Sequence, residues 1–208
     1  MPLLVIDCAT EAASVALFAG DRLISGDHAI LGRGHAERLV PMIAALPGHG
    51  RAERIMVNLG PGSFTGIRVG LAAARALALV WGADLGGYGS LDLVAAMARA
   101  TLGETPVDVV MTGGHGEWFF QPFGADGAAL ADVASLAPAA VIARAVAAVV
   151  AGSAAEHVAA NTGAQALPIR PDARAFALLP QSAWCAAAIP AYGRAPDARL
   201  PHHPAPLV

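Results

Sequence analysis

The sequence predicts a mixed α/β protein built in two lobes. Three observations lead there: short apolar runs of strand length, helical runs with one apolar face between them, and a reset of the pattern near residue 102. Residues 3–7, Leu-Leu-Val-Ile-Asp, form a branched apolar run suited to a buried strand. A turn through Cys8, Ala9, Thr10 and Glu11 leads to a second strand at 14–18, and Gly20-Asp21 turns into a third at 23–25. A helix expected at 35–46 puts Leu39, Met42, Ile43 and Leu46 on one face, with Pro41 placed to kink it or to begin a second segment. A fourth strand at 54–59 runs through a glycine-rich turn into a helix at about 65–80, and another helix follows at 90–100. Past the reset, 107–111 and 117–123 read as a hairpin across Thr112-Gly113-Gly114-His115-Gly116, and 137–151 as helix by composition. From Asn161 the chain is rich in proline and alanine and carries no periodic signal.

A three-stranded meander followed by helix, strand and helix is one half of the actin-like ATPase architecture shared by sugar kinases and Hsp70-type proteins. Two such halves flank a cleft in that fold. The expected organisation is an N-terminal lobe over 1–102 and a smaller, degenerate lobe over 103–208.

Composition narrows the function. Of 208 residues, 56% are hydrophobic and 14% charged, which excludes a disordered chain. A net charge of −3 gives no electrostatic footprint for gripping nucleic acid unaided. All 13 basic residues are arginine. The absence of lysine excludes Schiff-base chemistry and the lysine-bearing phosphate loop. Cys8 and Cys185 match no zinc or disulfide spacing, and a reduced cytoplasmic compartment suits them. The low-charge stretch 136–155 is mostly alanine with Arg144 near its middle, an arginine that costs roughly 2.5–3.5 kcal/mol in a bilayer. With Asp7 interrupting the first apolar run and no basic residues ahead of it, a soluble protein is expected.

The run Gly60-Pro61-Gly62-Ser63-Phe64-Thr65-Gly66-Ile67-Arg68-Val69-Gly70 is the most informative. A glycine turn from strand to helix is either a tight turn capped by Ser63 or Thr65, or an anion cradle of backbone amides. Gly66, Gly70 and Ala74 then form a small-residue stripe, each glycine giving up about 1 kcal/mol of helix propensity. Either the helix at 35–46 covers the stripe, or both helices present it to a partner chain.

The glycine run, Ile6-Asp7-Cys8-Ala9-Thr10, and Gly34-His35-Ala36-Glu37-Arg38-Leu39-Val40-Pro41-Met42-Ile43 together closely resemble the TsaB (YeaZ-like) family of bacterial tRNA threonylcarbamoyladenosine biosynthesis proteins. These are relatives of the glycoprotease-like proteins. The likeness covers residues 3–100, with a weaker echo at Pro190-Ala191-Tyr192-Gly193-Arg194. Two departures stand out. The family usually carries an Asp-Ala-Arg-type motif where this chain has Met111-Thr112-Gly113-Gly114-His115, and the loop at 47–52 is short.

The resemblance implies an actin-like fold and a non-catalytic scaffold role in tRNA processing. The partner would be a TsaD-like catalytic subunit that places threonylcarbamoyl on the adenosine next to the anticodon. A TsaE-like ATPase would complete the complex, and tRNA would be met only indirectly. It also implies a homodimer when the chain is isolated. The expected partner surface is Leu39, Met42, Ile43, Phe64, Gly66, Ile67, Gly70, Leu71 and Ala74 on the helices of the first lobe. Asp7, Thr10, Gly62, Ser63 and Thr65 would form a vestigial nucleotide or anion site, with ATP or ADP held only in the complex and no cofactor held tightly by this chain.

The alternative reading is an actin-like ATPase or a glycoprotease-type metallo-hydrolase acting alone. Metal ligation in the catalytic relative uses two histidines at i and i+4 on a helix, whereas here His35 is followed at that spacing by Leu39. No metal or catalytic residue is therefore expected. His202 and His203 sit adjacent in a proline-rich tail. Around Asp7 the turn Cys8–Ala13 has no glycine, and Glu11 would repel a phosphate. Cys8 has no basic neighbour to activate it. Thr112-Gly113-Gly114-His115 echoes a second phosphate turn.

Overall fold

The structure, a computed structural model, describes residues 1–193. Strands β1 (Pro2–Asp7), β2 (Ala12–Ala19) and β3 (Arg22–Ile30) form the antiparallel meander. Helix α1 (His35–Ala45) leads to β4 (Arg54–Asn58), which pairs parallel to β1. Pro41 is absorbed on the solvent side of α1, which continues as one helix. Helix α2 (Phe64–Trp81) then leads to β5 (Asp84–Tyr88), parallel to β4.

Strand β5 has no counterpart in the sequence reading, since paired glycines at 86–87 carry no strand signal. Both glycines are there for close approach. A side chain on Gly87 would collide with Leu59 and the Val57 carbonyl, and one on Gly86 would press on Met56.

Helix α3 (Ser90–Leu102) carries the chain to a second sheet, where the same order of elements recurs in shortened form. Strands β6 (Val107–Thr112), β7 (Trp118–Phe123) and β8 (Ala134–Leu136) make another antiparallel meander. Helix α4 (Pro138–Arg144), β9 (Val149–Ala151), helix α5 (Ala155–Thr162) and β10 (Gln165–Leu167) follow, with β9 parallel to β6 and β10 parallel to β9. This repetition is what makes the molecule actin-like.

The single helix expected at 137–151 is corrected by this arrangement. Helix α4 stops at Arg144 because the buried Asp108 carboxylate accepts the amides of Val146 (2.8 Å) and Ala147 (2.9 Å). Those amides are thereby satisfied outside a helix, and Val149–Ala151 becomes a buried strand. The 136–155 stretch is thus broken into several elements. Among the described residues the helix long and apolar enough to cross a bilayer is α2, one face of which is packed on the first sheet.

The end of the described chain returns to the first lobe. A 3-10 turn at Ala173–Leu178 precedes β11 (Trp184–Cys185), which pairs antiparallel with β5 at the edge of the six-stranded sheet. The assignment of all of 103–208 to a second lobe therefore does not hold for 173–185. Packing gives the reason. Helices α1 and α2 cover one face of the first sheet, around Leu4, Ile6 and Val57. On the opposite face, Val5, Phe18 and Tyr88 need a separate cover, which α3 and the returning segment supply. Phe176 sits at its centre, 5.2 Å from Tyr88, 5.2 Å from Trp184 and 6.3 Å from Phe18 between ring centroids.

Candidate functional site

The candidate site lies where the first turn, after β1, meets the glycine turn, after β4. Asp7 ends β1 and is fully enclosed. One carboxylate oxygen accepts the Ala9 amide at 3.1 Å; the other accepts Asn58 Nδ2 at 2.6 Å and the Tyr88 hydroxyl at 3.0 Å. Asn58 in turn accepts the Gly60 amide (2.7 Å) and the Ser90 hydroxyl (2.8 Å) through Oδ1. Four elements are tied through this one buried network. Burial pushes the Asp7 carboxyl from 3.8 up to about 6, against the lowering effect of its three hydrogen bonds.

Beside it, the glycine turn lies backbone on backbone against the first turn. The Ser63 amide donates to the Ala9 carbonyl at 2.7 Å, and the Ser63 hydroxyl caps α2 by accepting the Gly66 amide at 3.2 Å. Side chains on Gly62 and Gly66 would overlap the carbonyl oxygens of Ala9 and Cys8. Two amides that an anion would use, those of Ser63 and Gly66, are thus taken by the chain itself. Thr10 is used likewise. Its hydroxyl accepts the Ala12 amide, while its carbonyl bonds His35 Nε2 at 2.9 Å and ties the start of α1 to the turn. Thr65 faces solvent one residue into α2.

At the turn's mouth, Glu11 forms an ion pair with Arg170 from the segment after β10. That pairing was not legible in sequence, since 159 positions separate the two residues. Burial and the Asp7 charge both push the Cys8 thiol far up. In the second lobe, Thr112, the first residue of the turn at Thr112–His115, binds Ser153 through its amide (2.9 Å) and hydroxyl (3.1 Å).

The expected partner surface is corrected at eight of its nine positions. Leu39, Met42, Ile43, Ile67, Leu71 and Ala74 are buried inside the chain. Gly66 and Gly70 face the first sheet, Gly70 lying over Cys8, Val57 and Ile6. The stripe is a seat for the chain's own sheet, because only glycine lets α2 come down on the Cys8 carbonyl. Phe64 alone of the nine is exposed, at 51%. The apolar residues that do face solvent on these helices are others: Leu79 (86%), Val80 (77%) and Val40 (60%). A signal for them existed, since α2 is apolar nearly all round and an inner stripe cannot account for its outer face.

The described chain ends at the start of α2. The Ala191 amide donates to the Leu59 carbonyl at 2.8 Å. Tyr192 stacks on Phe64 at 4.8 Å and accepts Arg68 Nε at 3.1 Å, while the Arg68 guanidinium lies 3.7 Å over the Phe64 ring. The Pro190–Gly193 echo is therefore placed on α2; Arg194, His202 and His203 lie outside the described residues.

Two repeated sheets and a strand-end aspartate beside a glycine turn define the class, an actin-like two-lobed protein. Residues 29–185 match the family model described as TsaD, tRNA N6-adenosine threonylcarbamoyltransferase, and the chain belongs to that family. Within it the chain is TsaB- or YeaZ-like. It is 39% identical over 90 residues to the tRNA threonylcarbamoyladenosine biosynthesis protein TsaB of Escherichia coli, a stretch covering 41% of this chain and 38% of that protein. The TsaB protein of Haemophilus influenzae is 40% identical over 91 residues, 41% of this chain and 37% of that protein. These matches span less than half the length of either relative. Over the whole fold, the structure of YeaZ from Pseudomonas aeruginosa superposes with a TM-score of 0.75 at 25% identity, covering 92% of this chain and 99% of that one.

Proposed function

We propose that this chain is a TsaB-type, non-catalytic subunit of the cytoplasmic machinery that puts threonylcarbamoyl on tRNA adenosine. It docks on a TsaD-like catalytic subunit through the outer face of α1 and α2, corrected to Val40, Phe64, Leu79 and Val80. The observation that carries this reading is the filled junction: the chain's own groups take up the Ser63 and Gly66 amides and the Asp7 carboxylate. A nucleotide phosphate finds those groups committed, while α2 keeps an apolar face for another chain. The same committed groups disfavour an independent ATPase, and a lone His35 bonded to a carbonyl disfavours a metallo-hydrolase.

In this reading ATP or ADP binds only in the complex, tRNA is met through the catalytic subunit, and a TsaE-like ATPase joins the pair. The isolated chain pairs with a second copy through the same apolar face. The test is co-expression with a TsaD-like subunit, followed by co-purification and an assay of threonylcarbamoyladenosine in tRNA. The wild type is expected to co-purify and to be required for product, and Leu79→Asp to fold but lose at least tenfold in affinity. Product formed by this chain alone, or undiminished pairing by Leu79→Asp together with Val40→Asp, would overturn the proposal.

A further inference from the structure

The outer face of α2 carries charge as well as apolar side chains. Phe64, Arg68, Ala72, Arg75 and Leu79 follow one another at helical spacing along its exposed side, and α2 contains no acidic residue. We infer that Arg68 and Arg75 select the partner by its charge: the surface that docks there presents two carboxylates about two helical turns apart, set among apolar side chains. This rests on the docking face proposed above and names the chemistry of what that face receives.

Both arginines are held in place, and neither is neutralised. The Tyr192 hydroxyl accepts Arg68 Nε at 3.1 Å, and the Ala188 carbonyl accepts an Arg75 Nη at 3.0 Å, so one returning segment steadies both. The Phe64 ring lies 3.7 Å beneath the Arg68 guanidinium. All these contacts are to uncharged groups. The ion pairs among the described residues join other arginines, namely Arg54, Arg170 and Arg174. A surface ion pair is usually weak because two long side chains must be immobilised to form it. Here one side is already ordered, and its remaining N–H groups are left for a carboxylate.

Seven residues separate the two arginines, about 10 Å along the axis and close to two full turns, so they lie on the same side. Ala72 between them leaves room for a facing helix, while Phe64 and Leu79 offer apolar contact at the two ends. Aromatic residues and arginine are the types enriched where protein interfaces bind most strongly. A net charge of −3 disfavours nucleic acid as the occupant.

A second copy of this chain matches the stripe badly. In a two-fold contact the same patch faces itself. Helices α1 and α2 together offer one carboxylate, Glu37, against the guanidiniums of Arg38, Arg68 and Arg75. Self-pairing brings like charges together, whereas an acidic partner relieves them. The arginines therefore favour the catalytic subunit over a second copy on the same face.

The test compares affinity for a TsaD-like subunit with self-association of this chain, at about 50 mM and about 500 mM salt. Affinity for the subunit should fall at least fivefold as salt rises, while self-association stays level or tightens. Arg68→Gln combined with Arg75→Gln should bind the subunit at least tenfold more weakly at low salt and lose most of the salt dependence. Self-association of that variant should not weaken. If the variant pairs within twofold of wild type while Leu79→Asp abolishes pairing, the inference is overturned and the docking face stands. Pairing that survives Leu79→Asp together with Val40→Asp removes the docking face itself. A variant that keeps its pairing but loses tRNA from the complex assigns the arginines to phosphate and overturns the inference too. Should the variant lose its fold by circular dichroism, the wild-type salt series decides, and equal responses of the two associations refute the selection.

Discussion

The carbonyl oxygen of Cys8 occupies the space in which a side chain on Gly66 would begin. One helical turn on, a methyl group placed on Gly70 would have Cys8 Cβ and Val57 Cγ2 as its nearest neighbours, both at 3.5 Å, which is ordinary contact. Two glycines on one face of α2 therefore have different reasons to be there. Gly66 permits contact with backbone, whereas Gly70 has room for a methyl and little more.

Alanine substitution should separate them. Gly66→Ala forces helix and turn apart and is expected to cost about 3 kcal/mol or more, as an overpacked contact with unyielding backbone. Gly70→Ala recovers helix propensity and should be neutral or stabilising by up to about 1 kcal/mol. Gly70→Leu drives further carbons into the sheet and should lower stability directly, with association affected only through the fold. Thermal unfolding of the three variants checks this, and equal midpoints for Gly66→Ala and wild type would refute the contact.

Asp7 makes stability depend on pH in an uncommon direction for a carboxylate. Its folded value of about 6 lies above 3.8, so between those limits the folded chain holds a proton that the unfolded chain has released. Stability from this group is greatest on the acid side, falls as pH rises through the window, and is level above it. The displacement corresponds to about 3 kcal/mol. Asp7→Asn keeps the shape and removes the titration. The difference in unfolding free energy between wild type and Asp7→Asn should therefore fall by about 2 kcal/mol from pH 4 to pH 7 in urea titrations. A difference constant across that range would show that Asp7 is not held in a desolvated site.

Phe176 joins the returning segment to the first sheet. Phe176→Ala should cost about 3–5 kcal/mol, as for a buried ring whose site cannot collapse, and should loosen β11 with it. Hydrogen exchange provides the second readout: the Trp184 and Cys185 amides should lose protection together with Tyr88. Unchanged protection at Tyr88 would mean that β5 does not need its outer neighbour.

The pair between Glu11 and Arg170 looks like an inter-lobe latch, but each side chain is more than a third exposed. A double-mutant cycle with Glu11→Gln and Arg170→Met should give a coupling of about 1 kcal/mol or less, shrinking as salt is added. Burial raises the Glu11 carboxyl, yet the Arg170 hydrogen bond, a backbone hydrogen bond and the Arg170 charge together outweigh it and leave the group below its ordinary 4.5. A depressed carboxylate contributes stability above its unfolded value and loses it as pH falls through the folded one. The coupling should therefore be present at pH 7 and vanish in acid. A coupling that persists at pH 2 would contradict an ionic origin.

Much of the first lobe was legible because its signals are local. Strand β1, helix α1 and the capped glycine turn each declare themselves within a few residues of chain. The failures share a physical cause, which is that distant partners decided the outcome. The Gly86-Gly87 pair carries no strand signal until Leu59 and Val57 are seen pressing on it, and the 137–151 run reads as helix until Asp108 takes two of its amides. The stripe at Gly66 and Gly70 was correctly singled out as a place of close approach. Sequence periodicity identifies an inner face without naming its occupant, and here the occupant is the chain's own first sheet.

Strand β11 and the ring of Phe176 come from beyond the entire second lobe, yet they complete the first. During synthesis, residues 1–102 leave the ribosome with Phe18, Tyr88 and Val5 on a sheet face that α3 covers only in part, and the rest of the cover is made some 70 to 80 residues later. The first lobe cannot finish folding as a free-standing unit, so the two lobes mature together. Anything that slows translation through 103–172 prolongs the life of a half-covered sheet with an open edge at β5.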